Sequence, residues 1–197
     1  MEKGSSSEED LEKVEAVLQG DERAFQDLFE KYREKVFHIA YKYLQNREDA
    51  LDVVQEVFFK VYASLPKFQK KSSFYTWLCR IAINRAIDYS RAKKSNLSFE
   101  QCIADGYGFS SLTAKSSKPL DKMANKEWEE HFYQALNKLP HIHRSVFVLY
   151  SLNDLSYKEI AQILDCSIGT VMSRLYYARK KLQELLKNHR KENTEEI

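Results

Sequence analysis

The residues of this chain that are best suited to chemistry are cations at short spacing, and the partner that they suit is a polyanion. Eight basic residues and one carboxylate, Asp88, lie within residues 67–94, and a second basic stretch lies within residues 174–190. The net charge is only +2, so this positive charge is segregated. Attraction to phosphate is the sequence-independent part of nucleic-acid binding. Two basic stretches therefore predict two contacts with a nucleic acid, although two solvated helix faces would give the same composition.

A second pattern indicates how the C-terminal basic stretch is presented. Ser156 and Glu159 have the S-x-x-E spacing of a capping box, in which the two side chains satisfy free backbone amides at a helix start. A short helix, a break at residues 165–167 and a second helix follow, which is the helix-turn-helix pattern. We interpret it as a DNA-binding unit and not as a plain helical hairpin with a basic surface. The outward residues of the second helix suit phosphate contact and base readout, and they are Thr170, Met172, Ser173, Arg174, Tyr177, Arg179 and Lys180.

Other kinds of chemistry are not indicated. The three cysteines, Cys79, Cys102 and Cys166, are too far apart for a disulfide framework or a zinc site, and whether Cys102 senses oxidants is left open. The H-x-H pair of His141 and His143 lacks the further ligands that a metal site needs. We expect no metal and no cofactor. A nucleic-acid enzyme such as a recombinase is an alternative, but no nucleophile with an activating base and no phosphate loop is recognisable, so we do not expect an enzyme.

The elements that must position these residues are helices. Five glycines and three prolines leave few places to break long helices. Apolar residues recur every three or four positions over residues 25–43, 50–61 and 74–86, so these segments can bury their stripes against one another as a bundle. A short helix over residues 11–18 can precede them. In the C-terminal part, further stripes run over residues 128–139 and 142–150, and Val171, Leu175, Ala178 and Leu182 form the inward face of the second helix of the helix-turn-helix.

The serine- and glycine-rich segment after residue 94 has no helical periodicity and divides the chain into two parts. We therefore predict an all-α protein of two small helical domains joined by a flexible linker. The boundaries are a disordered tail at 1–10, a first domain at 11–94, the linker at 95–121, the helix-turn-helix domain at 122–190 and a tail at 191–197. No run of about 18 apolar residues and no secretory signal are present, so we expect a cytoplasmic protein without a membrane segment.

Three segments resemble a known family, the bacterial sigma factors. DLSYKEIAQILDCSIGTVMSRLYYARKKL resembles their region four, and REDALDVVQEVFFKVY and SFYTWLCRIAINRAIDYSRAKK resemble two helices of region two. The absence of other sigma regions points to the extracytoplasmic-function (ECF) subfamily. The resemblance implies a subunit that binds core RNA polymerase, opens the minus-ten element with its first domain and reads the minus-thirty-five element with its second. It also implies an anti-sigma factor as a partner.

The helix over residues 48–62 carries a candidate contact with polymerase. At 100° per residue, the face opposite its apolar stripe combines carboxylates with an exposed aromatic ring, which alone would need no explanation. The resemblance implies that this face docks on the coiled coil of the largest polymerase subunit, and that the polymerase flap is a further contact. The predicted residues are Asp52, Gln55, Glu56 and Phe59, with Asp49 at the margin.

The resemblance assigns opening of the minus-ten element and capture of a flipped base to residues 70–88. Aromatic rings beside cations suit unstacked bases. Trp77 shares a stripe with Leu78 and Ile81, so core packing is its simpler role and stacking on DNA the alternative. Asp88 could instead pair with Arg85 or Arg91. The predicted minus-ten residues are Lys70, Lys71, Tyr75, Trp77, Arg80, Asn84, Arg85 and Asp88.

Two departures from the family pattern bear on function. Met172 stands where many sigma factors carry Lys or Arg, which alters phosphate attraction or base preference at that position. The linker is close to neutral where that of sigma factors is often acidic. A conventional DNA-binding regulator is the rival interpretation; it predicts tight duplex binding without core polymerase and gives Phe59 no special role.

Overall fold

The computed structural model describes the backbone of residues 2–104, 120–153 and 155–192, and the side chains of 7–93, 128–150 and 155–187. Within these ranges the chain forms eight α-helices and no strand, which confirms the all-α prediction. The N-terminal helices are α1 (Glu2–Leu18), α2 (Glu22–Leu44), α3 (Arg47–Ser64) and α4 (Phe74–Ala104). The C-terminal helices are α5 (Leu120–Asn137), α6 (His141–Asn153), α7 (Tyr157–Ile163) and α8 (Ile168–Glu192).

Local capping explains where α2 and α3 begin. The carboxylate of Asp21 accepts a hydrogen bond from the amide of Arg23 at 2.9 Å, and the side chain of Asn46 accepts one from the amide of Asp49 at 2.9 Å. Gln45 ends α2 in the left-handed conformation, with φ of 61°. Each cap satisfies an amide that would otherwise lack a partner. The chain therefore reverses within two residues, and α2 and α3 pack side by side.

The predicted apolar stripes form the core of the first domain. Residues of α2, α3 and α4 such as Leu28, Val57 and Leu78 are completely buried. Each side chain of this size that leaves water contributes roughly 1.5–3 kcal/mol. Packing against the other helices of the bundle thus stabilises helices that intrinsic propensity alone would leave marginal.

The N-terminus corrects one prediction. Residues 1–10 were expected to be a disordered tail, but α1 begins at Glu2, and its side chains take part in the core. Asp10 is 2% exposed; its carboxylate accepts a hydrogen bond from the hydroxyl of Tyr32 and another from Lys31 Nζ at 2.6 Å. Val14, one turn further on, is 1% exposed. The acidic composition hid a buried carboxylate whose partners lie on α2.

The linker also begins later than predicted. The boundary was placed after residue 94, but α4 continues to Ala104, and α5 starts at Leu120. Residues 95–104 contain no Gly or Pro, and the first breaker after them is Gly106, so nothing in this segment forces the helix to end. The rest of the predicted linker, residues 105–119, lies outside the described residues, as do 193–197 and the side chain of Cys102.

The second domain contains the predicted helix-turn-helix. The capping box is formed: Glu159 accepts from the Ser156 amide at 2.9 Å, and Ser156 Oγ accepts from the Glu159 amide at 3.3 Å. The turn after α7 contains Asp165, whose φ is 50°. The predicted inward residues of α8, of which Val171 and Ala178 are fully buried, pack toward α6 and α7. Trp128 departs from its predicted stripe, since it is 61% exposed and stacks on Phe132.

The two domains lie against each other. Helix α6 packs on α2, and α7 packs on α4, so the buried apolar residues of both domains form one continuous cluster.

Within the described residues, no helix is long and apolar enough to cross a membrane.

Candidate nucleic-acid and protein interfaces

The face of α3 that points away from the core is acidic, and Phe59 is its most exposed aromatic ring. Phe59 is 78% exposed, whereas its neighbour Phe58 is 5% exposed. Asp52, Gln55 and Glu56 are exposed on the same side of the helix as Phe59. The face therefore combines an exposed aromatic ring with carboxylates, two features that a basic partner could bury and pair with.

Asp49, predicted at the margin of this face, is turned toward α4. Its carboxylate accepts a hydrogen bond from Lys93 Nζ at 2.6 Å and another from the Tyr89 hydroxyl at 3.1 Å. Burial, and then the hydrogen bond to Asp49, raises the pKa of the Tyr89 hydroxyl. Asp49 therefore stabilises the packing of α3 on α4. The exposed part of the predicted face consists of Asp52, Gln55, Glu56 and Phe59.

Glu56 and Arg85 bring the predicted polymerase and minus-ten surfaces into contact. The two side chains form an ion pair between α3 and α4, and the hydrogen bond to Glu56 raises the pKa of Arg85. Asp88 adds to this shift through its charge. Arg85 therefore pairs with Glu56 of α3. The sequence alone had suggested Asp88, one turn further along α4, as a possible partner.

The aromatic residues at the start of α4 are largely part of the core. The Tyr75 ring stacks on Tyr32 with centroids 5.4 Å apart, and Lys35 Nζ lies 4.9 Å from its centroid. Burial raises the pKa of the Tyr75 hydroxyl. Trp77 is half-buried, with its ring centroid 5.0 Å from that of Phe68, as the core-packing interpretation predicts.

Polar residues of the predicted minus-ten segment are the accessible ones. Arg80, Asn84 and Asp88 are exposed along α4, and Lys71 is exposed in the loop before it. Lys70 lies in the same loop with φ of 55° and forms an ion pair with Glu15 of α1. The structure therefore exposes a polar ridge along α4 and keeps most of the aromatic surface inside.

The outward face of α8 combines hydroxyls, cations and apolar side chains. Met172 is 53% exposed and Tyr177 is 56% exposed, with the Tyr177 ring stacked on His143. Arg174 is half-buried, whereas Arg179 is exposed with its guanidinium 5.3 Å from the Tyr150 centroid. The remaining predicted members, Thr170, Ser173 and Lys180, share this side of the helix. Such a face can contact both phosphates and base edges.

A buried arginine joins the two domains, and the sequence did not predict it. Arg144 of α6 is 4% exposed; it donates to the carbonyl oxygen of Tyr43 at 3.1 Å and to that of Asn137 at 2.6 Å. Its guanidinium lies 4.9 Å from the centroid of the Tyr43 ring. Burial lowers the pKa of Arg144. The only sign of this buried role in the sequence is that Arg144 closely precedes an apolar run.

Three further contacts line this seam between the domains. Arg80 of α4 donates to the carbonyl oxygen of Gln162 in α7, so a predicted minus-ten residue is bound to the helix-turn-helix. Lys42 Nζ lies 3.2 Å from the Tyr133 hydroxyl. Arg91 Nη2 lies 3.0 Å from His141 Nε2. Burial, followed by the charges of nearby arginines, lowers the pKa of His141, so the neutral imidazole accepts from Arg91.

Within the described side chains, no group of three His, Cys, Asp or Glu is arranged to hold a metal ion. His141 and His143 instead serve the seam and the stacking on Tyr177. Burial raises the pKa of the Cys79 thiol to about 12, so this thiol stays protonated near neutral pH.

Comparison with known proteins matches both domains. A family model described as Sigma-70 region 2 covers residues 28–96, and one described as Sigma-70, region 4 covers residues 130–182. The ECF RNA polymerase sigma-E factor of Haemophilus influenzae is 37% identical over 86% of this chain and 91% of that protein. The ECF RNA polymerase sigma factor SigW of Bacillus subtilis is 33% identical over 89% of this chain and 96% of that protein.

Solved structures agree at the level of the fold. CnrH in complex with the cytosolic domain of CnrY matches with a TM-score of 0.67 over 91% of this chain and 98% of that one, at 24% identity. The sigma factor RpoE in complex with the anti-sigma factor NepR from Bartonella quintana matches with a TM-score of 0.60 over 83% of this chain and 96% of that one, at 28% identity. With regions two and four both matched and relatives aligned over most of its length, the chain belongs to the ECF RNA polymerase sigma factors.

Proposed function

We propose that the chain binds core RNA polymerase and directs it to promoters, with the first domain capturing the opened minus-ten strand and the second reading the minus-thirty-five element. Family membership supports the overall role. The observation that carries the proposal is the presence of two unlike surfaces on separate domains, one suited to a protein partner and one to DNA. One is the acidic face of α3 around Phe59, and the other is the basic outward face of α8.

The polymerase contact is proposed for the α3 face around Phe59. Burying an exposed ring of this size in a partner contributes roughly 1.5–3 kcal/mol. The surrounding Asp52 and Glu56 favour a basic partner and set the orientation in which it docks. The family resemblance implies that this partner is the coiled coil of the largest subunit, and that the flap receives the second domain.

The minus-ten contact is proposed for the polar ridge of α4. Arg80 and Asn84 are exposed and can reach phosphates and base edges of a separated strand. Tyr75 and Trp77 are half-buried, so we assign them to holding the ridge in place and only secondarily to stacking on bases.

The seam between the domains supports an opening step before promoter binding. Part of the guanidinium of Arg80 is held by the carbonyl oxygen of Gln162 in the helix-turn-helix, so separation of the domains would free all of its donors for a DNA strand. Reaching two promoter elements at once also requires the domains to separate, after which the tether makes the second contact intramolecular. The docked arrangement is therefore proposed as the form that precedes engagement of the promoter.

The remaining assignments follow from this role. Because polymerase and DNA are the proposed partners, the protein acts in the cytoplasm and performs no catalysis of its own. One solved structure with this fold is a complex of the sigma factor RpoE with the anti-sigma factor NepR. We extend this to the present chain and propose that an anti-sigma factor holds it inactive.

Transcription with purified core polymerase tests the proposal. Core enzyme plus this chain, given a pool of genomic fragments, should produce transcripts whose start sites share two upstream elements. Core enzyme alone is the control and should start without such elements. Absence of shared elements would contradict the proposal, and tight binding of duplex DNA without core enzyme would indicate a conventional regulator instead.

A further inference from the structure

The first two turns of α8 present apolar side chains to solvent at the end of the helix that a helix-turn-helix places at base edges. Ile168 is 47% exposed and Met172 is 53% exposed. The two residues are four apart, so they lie on the same side of the helix. A single exposed apolar residue needs no explanation. Two such neighbours in the first turns of a helix that would contact bases do need an explanation.

The hydroxyl groups of the same turns are already engaged within the helix. Thr170 Oγ1 lies 2.9 Å from Ser167 Oγ, and Ser173 Oγ donates to the Thr170 carbonyl oxygen at 3.1 Å. The exposed cations, Arg179 and Lys180, follow about two turns later. The hydroxyls of Thr170 and Ser173 therefore already have partners within the helix, and the exposed side chains beside them, Ile168 and Met172, carry a hydrocarbon and a thioether.

Gly169 keeps this end of the helix open. It is exposed, and a Cβ at this position would meet only Ser167 Oγ, at 3.8 Å. The fold therefore does not require glycine here, and a residue without a side chain leaves room for a base pair to approach Ile168 and Met172.

In the major groove, one base carries an apolar group at its edge: the 5-methyl of thymine. Guanine and adenine are read by forked donors and acceptors, which neither side chain possesses. We propose that Met172, together with Ile168, reads a thymine methyl in the minus-thirty-five element, while the cations further along α8 hold the phosphates. The inference rests on the proposed function and names the base preference of the same surface.

Replacing thymine by deoxyuridine tests the proposal, because it removes the methyl and leaves every hydrogen-bonding group in place. Holoenzyme made with this chain is titrated onto a promoter found by start-site mapping, with each thymine of the minus-thirty-five element replaced in turn. At one position the affinity should fall about fourfold, the factor that corresponds to about 0.8 kcal/mol for one buried methyl group. In Met172→Ala the same replacement should have little effect.

Two controls separate the outcomes. Met172→Leu should keep the sensitivity to deoxyuridine, and Lys181→Ala, which removes an exposed cation of α8 paired with Glu184, should keep it even if all affinities fall together. A promoter element without thymine, a flat response of the wild type, or undiminished sensitivity in both Met172→Ala and Ile168→Ala would overturn the proposal. Promoter-specific start sites with a flat response would refute this inference and leave the proposed function standing.

Discussion

Arg144 donates a hydrogen bond to the carbonyl oxygen of Tyr43 across 101 positions of sequence, and its guanidinium also lies over the Tyr43 ring. The two residues belong to different domains, and both are buried. Hydrogen bonds from a charged donor are the stronger kind. This pair therefore stands at the centre of the seam that keeps the helix-turn-helix against the first domain.

Arg144→Met should loosen the seam. The variant keeps most of the apolar stem but removes the donors, and hydrogen bonds to charged groups contribute about 1.5–3 kcal/mol. Small-angle X-ray scattering should show a larger radius of gyration, and the free energy of unfolding should fall by about 1–3 kcal/mol. Arg33→Met is the control, since Arg33 is exposed on α2 in a surface pair with Glu30 and should change stability by no more than about 0.5 kcal/mol. An unchanged radius of gyration in Arg144→Met would contradict this role.

Acidification should also loosen the seam, through His141. Burial first, and then the charges of Arg91, Arg174 and Arg144, hold its pKa below the ordinary 6.5 in the docked state. Separation removes the charge of Arg91, whereas Arg174 and Arg144 lie in the same domain as His141 and remain. The pKa of His141 therefore rises part of the way toward its ordinary value, and the separated form binds more protons in this range. Docking is therefore fully favoured above pH 6.5 and weakens as the pH falls through the lowered value.

The radius of gyration of the wild type should accordingly rise between about pH 7 and pH 5, the range in which histidine titrates. His141→Gln should flatten that dependence. His143→Gln is the control, because the pKa of His143 is lowered by burial and by Arg174 of its own domain, so this variant should keep the pH dependence. An identical pH profile in wild type and His141→Gln would refute the explanation.

Phe59→Ala should weaken retention by core polymerase without weakening the fold. The ring is 78% exposed, so truncating it removes little packing from the free protein. Phe58→Ala is the matched control: Phe58 is 5% exposed and contacts Phe29, and its truncation should cost about 3–5 kcal/mol of folding free energy. Pull-down with immobilised core enzyme and thermal denaturation distinguish the two. Equal retention of Phe59→Ala and wild type would exclude the docking role.

Asp10→Ala should destabilise the first domain. The carboxylate is buried and accepts bonds from Tyr32 and Lys31, so its loss should cost about 1–3 kcal/mol. Glu12→Ala, at an exposed position of the same helix, should change stability by no more than about 0.5 kcal/mol. Urea denaturation measures both. Equal midpoints for the two variants would mean that α1 adds little to the bundle.

The parts of the fold that could be predicted depend on the spacing of residues that are close together in the sequence. The stripe of Val171, Leu175 and Ala178 follows from helical periodicity, and the capping box of Ser156 and Glu159 spans three residues. The start of α7 and the inward face of α8 were accordingly correct. The exposed ring of Phe59 was found in the same way, as the position opposite an apolar stripe.

The parts that escaped prediction depend on partners far along the chain. Asp10 was assigned to a disordered tail because its neighbours are acidic, whereas Tyr32, 22 positions away, is what buries it. Arg144 carries no local sign that its acceptor is the main chain of Tyr43. A main-chain oxygen has no residue type, so composition and spacing cannot reveal it.

Because main-chain oxygens are independent of residue type, mutations affect the hydrogen bonds of the seam mainly through the residues that donate them. At Tyr43, Asn137 and Gln162 the acceptor is the peptide oxygen, which almost any replacement of those side chains preserves. The donors, Arg80 and Arg144, have no such redundancy. At these hydrogen bonds mutation therefore acts mainly through the two arginine codons, whereas the Tyr43 ring under Arg144 and the imidazole of His141 remain sensitive to replacement. A screen for constitutively open variants should return changes at the arginines.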